Sequence, residues 1–578
     1  MPEEPQELRG AHEAQEMCEV HEVHEVHEVH EVHEPQQPQQ TQQTQQPQQQ
    51  SPEYVDVLIV GAGLSGIGAA CRLRSETPGK SFAVLEGRDA MGGTWDLFRY
   101  PGVRSDSDMH TLGYSFRPWK GSRTIVDGTS IREYIEDTAR EYGVDRAVRY
   151  GHRVTRAEWS SEQGSWTVTA QRSTGAGDEA GAGAEAGAGD EAGDEAGTGD
   201  TTEEVRLRCS FLYVCSGYYR YDEGYTPDLP GIEDFGGTVV HPQHWPDDLD
   251  HGGKRVLVIG SGATAVTLVP ALAGTATHVT MLQRSPSYVL ALPSHDPLAK
   301  PLGRLLPTRI AGRAMRWKNA LLALANFRLS RRAPKLVGGA LRFAARRQLP
   351  SGYDVDTHFG PRYRPWDQRL CIVPDGDLFT AIRRSRASVV TDGIERFTEK
   401  GVRLASGGEI EADVVVTATG LNLLALGGLT LVVDGKETVA ADTVAYKGMM
   451  LSGVPNFAFT IGYTNASWTL KADLVSAYVC RLLTHMDRRG LRVCTPQPPR
   501  EGEKLLPLID LKSGYVLRSL DALPKQGTTA PWRLHQSYPR DVRMLRRGPL
   551  EDRGIRFSRP GAPATSATPA TPATPAAD

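Results

Sequence analysis

From Tyr54 to Val60 (YVDVLIV) the chain is a short β-branched run that ends in glycines. An Ala-rich stretch with helical spacing follows to Arg74, and Ser81 to Glu86 (SFAVLE) is a second apolar run. Strand, helix, strand is the reading. The same pattern returns later as Arg255 to Ile259 (RVLVI), glycines, a helical stretch from Ala263 to Ala273, and His278 to Leu282 (HVTML). Two βαβ units predict an α/β fold with two nucleotide-binding, Rossmann-like parts in one polypeptide. Between them, Val154 to Gln171 and Glu204 to Val214 read as strands flanking a Gly/Ala/acidic stretch, which is therefore expected in a surface hairpin loop. Asp413 to Gly420 (DVVVTATG) reads as the strand that returns the chain to the first part.

Three stretches of the 578 residues are too biased to form a core: 1–51, 173–204 and 559–578. They are read as disordered tails and a loop insert, leaving 475 residues for several folded units. The near balance of 65 basic and 70 acidic side chains hides opposed regions. Residues 1–34 and 173–204 carry ten net negative charges each, so the remainder carries fifteen positive ones. A basic body suits an anionic cofactor, an anionic surface, or both. Residues 300–350 hold thirteen Lys or Arg and no acid, interleaved with Leu305, Leu306, Ile310, Trp317, Leu321 and Phe327. They read as a basic helical insertion that is a patch for peripheral contact with an anionic membrane, a lid over the substrate channel or a solvated helical face, with nucleic acid disfavoured for want of a recognition motif.

No apolar run approaches the roughly 18 residues of a spanning helix, and the charged N-terminus lacks a signal peptide's apolar region, so a cytoplasmic rather than secreted protein is expected. Seven cysteines form no CxxC or CxxxxC pair, which argues against a zinc ribbon or a redox-active disulfide. The EVH triplets from Glu19 to His33 bring five imidazoles, but on a Glu-rich tail they lack the fixed geometry of a metal site; no metal is expected.

Gly61-Ala62-Gly63-Leu64-Ser65-Gly66 follows a strand and opens a helix, and Glu86 ends the next strand. Those glycines permit a tight turn and close approach of a diphosphate to the helix N-terminus, while Glu86 would accept hydrogen bonds from a ribose. In the second unit, Gly260-Ser261-Gly262-Ala263-Thr264-Ala265 is a GxGxxA variant, with Gln283 in the acid's place followed by Arg284. A carboxylate would repel a 2′-phosphate and a guanidinium would pair with it, so the second unit is expected to take NADPH. The two different ribose readers suggest FAD in the first unit. Spacing alone leaves reductases, oxidases and monooxygenases open.

Gly92-Gly93-Thr94-Trp95 through Tyr100-Pro101-Gly102 to Asp106 matches GGxWxxxxYPGxxxD, and Phe235-Gly236-Gly237, His241 and Trp245-Pro246 match FxGxxxHxxxWP. From about Tyr54 to Phe557, outside the acidic insert, the chain resembles the Baeyer-Villiger flavin monooxygenases. The resemblance implies the following. Residues 52–234 and 411–558 form a discontinuous FAD domain, and residues 235–410 form an NADPH domain carrying the basic insertion. Ser65 and Glu86 hold the FAD phosphate and ribose, Thr94, Trp95, Asp96 and Leu97 line the flavin, and Val154 meets the adenine end. Arg104, Ser105 and Asp106 face the nicotinamide half of NADPH. The turn from Gly260 to Val266 holds its phosphates, and Gln283 with Arg284 reads the 2′-phosphate.

Arg369 falls where the family places a catalytic arginine, oriented by Asp106, while His241 and Trp245 couple the domains. Gln368 stands where many relatives have Lys. The implied reaction consumes O2 and NADPH, adds oxygen at flavin C4a, and inserts one oxygen atom into a ketone to give an ester or lactone. Oxidation of sulfides or thioamides by the same chemistry stays open, as does a flavoprotein that merely reduces.

Overall fold

A computed structural model describes residues 52–121, 123–173 and 202–559. The tails and most of the acidic insert, with the readings made of them and the EVH triplets, lie outside the described residues.

The first βαβ unit is β1 (Glu53–Val60), α1 (Leu64–Glu76) and β2 (Phe82–Leu85), with β1 and β2 parallel in the register Val57↔Phe82 to Val60↔Leu85. The short β3 (Val148–Arg149) extends the sheet beyond β2. On the other side lie β4 (His152–Ser160), β5 (Ser165–Ser173) and β6 (Thr202–Val214), an antiparallel meander whose last strand runs parallel to β1. Val154 to Gln171 is therefore two strands rather than one, the polar stretch Ser161–Gly164 forming the tight turn between them, with Ser160 opposite Ser165. Ser173 pairs with Thr202, so β5 and β6 are already joined in register at the two residues that bound 174–201 in the sequence. Strands Thr430–Val433 and Phe457–Phe459 come back to this sheet much later in the chain.

The second sheet is entirely parallel. It contains β7 (Thr238–Val240), β8 (Arg255–Ile259), then α2 (Ala263–Leu272), β9 (His278–Gln283), β10 (Ala387–Thr391) and β11 (Val414–Thr417), in the order β10-β9-β8-β11-β7. β11 sits between β8 and β7, so the chain leaves this sheet only after Thr417, later than the boundary at 410 read from the sequence. The VVV run is buried on both faces, as central parallel strands are, and that composition alone does not say to which sheet a strand belongs. Both expected dinucleotide-binding folds are thus present, each with its own core.

Three consecutive helices, α3 (Ala299–Leu305), α4 (Thr308–Arg332) and α5 (Pro334–Arg346), form the basic insertion after β9. Among the described residues no helix is long and apolar enough to cross a membrane. A long helix, α6 (Trp468–Arg489), packs against α1 and supplies a fully buried row that includes Leu470, Leu474 and Tyr478. It also carries Asp473, whose buried carboxylate pairs with Arg72 of α1 at 2.6 Å, Arg546 at 3.4 Å and Arg316 of α4 at 3.6 Å. One acid thereby fastens the insertion to the first fold. The six cysteines among the described residues are all buried and none is in a disulfide.

Candidate functional site

A cleft of about 530 Å³ runs from the edge of the first sheet toward the second fold. Gly61 and Gly66 shape its floor. Gly61 has φ +100°, and a Cβ there would lie 2.8 Å from the Cys215 carbonyl oxygen; one on Gly66 would lie 1.8 Å from the Gly61 carbonyl oxygen. Only glycine allows strand, turn and helix to close on one another this tightly. Gly63 precedes α1 and Gly262 precedes α2, and neither N-terminus has a side-chain cap, whereas Asp127 caps the helix Gly128–Glu141 through the Ser130 amide. Nothing lies within 4 Å of where a Gly262 Cβ would be. Uncapped amides facing open space are what a diphosphate requires.

Glu86 is buried at the far end of the cleft and accepts from the amides of Ala62 (2.7 Å) and Arg88 (3.1 Å). Burial raises its pKa, and the two amides and Arg88 oppose that rise. Val154 lines the same end, while Ser65, Thr94 and Trp95 line the middle. Asp96 and Leu97 do not line the cleft. The Asp96 carboxylate is fully buried under Arg88 and within 3.4 Å of Arg99 and Arg132, so it braces the wall from behind.

At the other end the cleft brings together two residues 263 positions apart. Arg369 meets Asp106 through two parallel contacts, Nε to Oδ2 at 2.8 Å and Nη2 to Oδ1 at 3.0 Å. Burial acts against the guanidinium's charge, but the Asp106 carboxylate, together with Tyr218, Tyr515 and Tyr219, outweighs it, so the Arg369 pKa is raised. The two-point grip fixes the plane of the guanidinium. Arg104 and Ser105 line this end too, with Arg104 held by Asp377 at 2.6 Å and the Ser105 hydroxyl donating to the Ser107 carbonyl.

Comparison with known proteins fits this geometry. An NAD(P)-binding Rossmann-like domain pattern matches residues 59–121, and a flavin-binding monooxygenase-like pattern matches residues 199–317. The FAD-containing monooxygenase EthA of Mycobacterium tuberculosis (strain H37Rv) is 53% identical over 512 residues, covering 88% of this chain and 99% of that protein. The chain belongs to the FAD-containing monooxygenases. In fold this monooxygenase is similar to an oxidized steroid monooxygenase bound to NADP (TM-score 0.65, 23% identity, 88% of this chain and all of that one). It is likewise similar to an open form of cyclohexanone monooxygenase (TM-score 0.62, 21% identity, 77% and 90%).

The second nucleotide turn of the monooxygenase divides into two kinds of position. Ala263 and Thr264 line the cleft next to Gly260, Ser261 and Gly262, whereas Ala265 and Val266 point into the second core. Gln283 does not face open space either. It is buried, and its amide donates to the His358 carbonyl and to Thr391 Oγ1, both at 2.8 Å. It ties β9 to its neighbours and is not free to read a phosphate. Arg284 is exposed and has no ion pair among the described residues.

His241 lies outside the cleft, at the junction after β7. Its Nδ1 accepts from the Gln243 amide and its Nε2 faces the Gly420 carbonyl at 3.2 Å, so the ring is held in one neutral tautomer; burial lowers its pKa. The ring fills the space a Gly224 side chain would need, with 1.9 Å between its Cε1 and that Cβ position. Trp245 packs on the second core.

Reading by spacing missed an aromatic wall. Tyr218, Tyr219 and Trp468 line the cleft near Arg369, with Trp468 stacked on Tyr218 at 4.9 Å and its Nε1–H donating to Ser65 Oγ at 3.0 Å. These residues come from two segments about 250 positions apart, and aromatics inside otherwise apolar runs signal core as readily as site.

Proposed function

We propose that this monooxygenase uses NADPH and O2 to insert one oxygen atom into a ketone, giving an ester or lactone. The observation that carries the reading is the Asp106–Arg369 pair at the end of a cleft that contains both uncapped helix N-termini. Bound FAD, reduced by NADPH, supplies the oxygen-activating chemistry. The α1 turn holds the FAD diphosphate with Ser65, Glu86 holds the ribose, Thr94 and Trp95 flank the flavin, and Val154 meets the adenine end. The α2 turn at Gly260–Thr264 holds the NADPH phosphates, Arg284 alone of the two expected readers pairs with the 2′-phosphate, and Arg104, Ser105 and Asp106 face the nicotinamide half.

Arg369, always charged and gripped by Asp106, stabilises negative charge that develops on the former carbonyl oxygen. Tyr218, Tyr219 and Trp468 keep water from that end of the cleft. His241, neutral and bonded to backbone on both sides, is a joint between the folds rather than a proton carrier, and Trp245 supports it. The FAD part comprises residues 52–234 and the chain from about 418, with the NADPH part between. The enzyme works in the cytoplasm on small molecules, with residues 300–350 meeting an anionic membrane surface.

The test is mass-spectrometric product analysis of the FAD-loaded enzyme with NADPH, labelled oxygen gas, a panel of ketones and one aryl sulfide. One labelled oxygen beside the carbonyl, lost in Arg369→Ala, is the expected result. Sulfoxide alone would move the assignment to heteroatom oxygenation, and peroxide without labelled product to a reductase.

A further inference from the structure

The basic insertion has two faces with different tasks. Inward, α4 holds both chain segments that carry the Asp106–Arg369 pair. Asn319 Nδ2 donates to Asp108 Oδ1 at 2.7 Å, two residues from Asp106, and Arg331 Nη1 donates to Asp367 Oδ1 at 2.8 Å, two residues before Arg369. The Phe327 ring meets Trp366 edge-on at 5.7 Å, and Trp366 itself has φ +68°, a left-handed conformation that a tryptophan keeps only when its surroundings hold it there. The two anchors are twelve residues apart, about 18 Å along a helix, so α4 spans the reactive end of the cleft like a strut.

Outward, the insertion is apolar and basic at once. Ten of the sixteen large apolar side chains exposed among the described residues fall between Leu292 and Phe343. Leu321, Leu322 and Leu329 share a face of α4, and Leu336 and Phe343 share a face of α5, each 48–67% exposed; Leu305, just before α4, is 80% exposed. Such a concentration of exposed apolar surface marks a place where something docks. Of the thirteen Lys and Arg in 300–350, only Arg316, Lys318, Arg331, Arg342 and Arg346 are paired with acids; the other eight have no ion pair among the described residues. A second copy of this face would set the unpaired positive charges of one copy against those of the other. A nucleic acid would satisfy the charge and leave the leucines in water. An anionic phospholipid surface satisfies both, with leucines entering the acyl boundary and basic heads remaining among the phosphates.

We propose that α3–α5 dock the monooxygenase on an anionic phospholipid membrane, placing the Asp106–Arg369 end of the cleft behind α4 next to the lipid, so that apolar ketones enter from the bilayer. The docking stands on the helical faces alone, and the route for ketones rests on the reaction proposed above.

The experiment is co-sedimentation of the FAD-loaded full chain with phosphatidylglycerol/phosphatidylcholine vesicles and with pure phosphatidylcholine vesicles, at low and high salt, beside the double variant Leu322→Glu/Phe343→Glu. Wild type pellets with the anionic vesicles, binding falls as salt rises, and the variant binds about tenfold less with unchanged melting temperature. A long-chain methyl ketone dissolved in those vesicles is oxidised about tenfold more slowly by the variant, while a short, water-soluble methyl ketone is oxidised alike by both. Wild type left in the supernatant at low salt, equal binding to uncharged vesicles, or undiminished binding by the variant overturns the docking. Lipid-free self-association that the variant abolishes overturns it in favour of an interface between copies. Equal oxidation of the vesicle-borne ketone overturns the route, and failure of both proteins on every ketone overturns the reaction instead, leaving the sedimentation result to decide the docking.

Discussion

Gly66 has no room for one methyl group, because its neighbour across the turn is the backbone oxygen of Gly61 rather than a side chain that could move. Gly66→Ala is expected to cost about 1–3 kcal/mol and to yield protein that loses FAD on gel filtration; retention of the flavin absorbance at wild-type stoichiometry would contradict the tight-turn reading. Glycine spacing thus made the first nucleotide turn legible without a structure. Gln283 shows the opposite case. Its position at the end of β9 was legible, its rotamer was not, and the amide turned inward to satisfy the His358 carbonyl and Thr391. Accordingly Gln283→Ala should lower the melting temperature with little change in NADPH KM, whereas Arg284→Ala should raise that KM about tenfold or more by removing a charge-assisted contact. Histidines contribute at this scale as well. Burial lowers the pKa of His110, His241, His358 and His535, so the unfolded chain binds more protons than the folded one below the unfolded value of about 6.5. Their contribution is complete above that pH and is lost as pH falls through it, and melting curves from about pH 8 to about pH 5 should show the decline flattened in His241→Gln.

Among elements, the βαβ units could be read directly, since runs such as VDVLIV and RVLVI are buried on both faces and leave no polar alternation to mislead. The partner of each strand was less accessible. β11 resembles any central parallel strand, and its place between β8 and β7 is decided by contacts that span more than 150 residues. The role of α6 was equally hidden: Asp473 reads as one charge in a helix, yet three arginines from α1, α4 and the C-terminal part converge on it. Removing that acid leaves buried guanidinium groups uncompensated. Asp473→Ala should therefore destabilise the protein by about 3–5 kcal/mol, measured by denaturant unfolding, and should loosen α4 first, visible as faster amide exchange in residues 308–332.

For the molecule as a whole, the insert at 174–201 joins two strand ends that are already paired at Ser173 and Thr202. Replacing it by a four-residue turn should leave activity unchanged and add about 1–2 kcal/mol of stability, because a shorter loop costs less to close; loss of folding would mean that the insert contributes contacts of its own. The placement of the six described cysteines has a further effect on survival. An oxygen-using flavoenzyme whose reaction miscarries releases hydrogen peroxide into its own interior, and peroxide attacks thiolates rather than thiols. Cys215 lines the cleft and Cys371 lies two residues from Arg369, closest to such a leak, and burial pushes both thiols up to about 12. Kept protonated where oxidant would first appear, these two thiols offer such peroxide little to corrode.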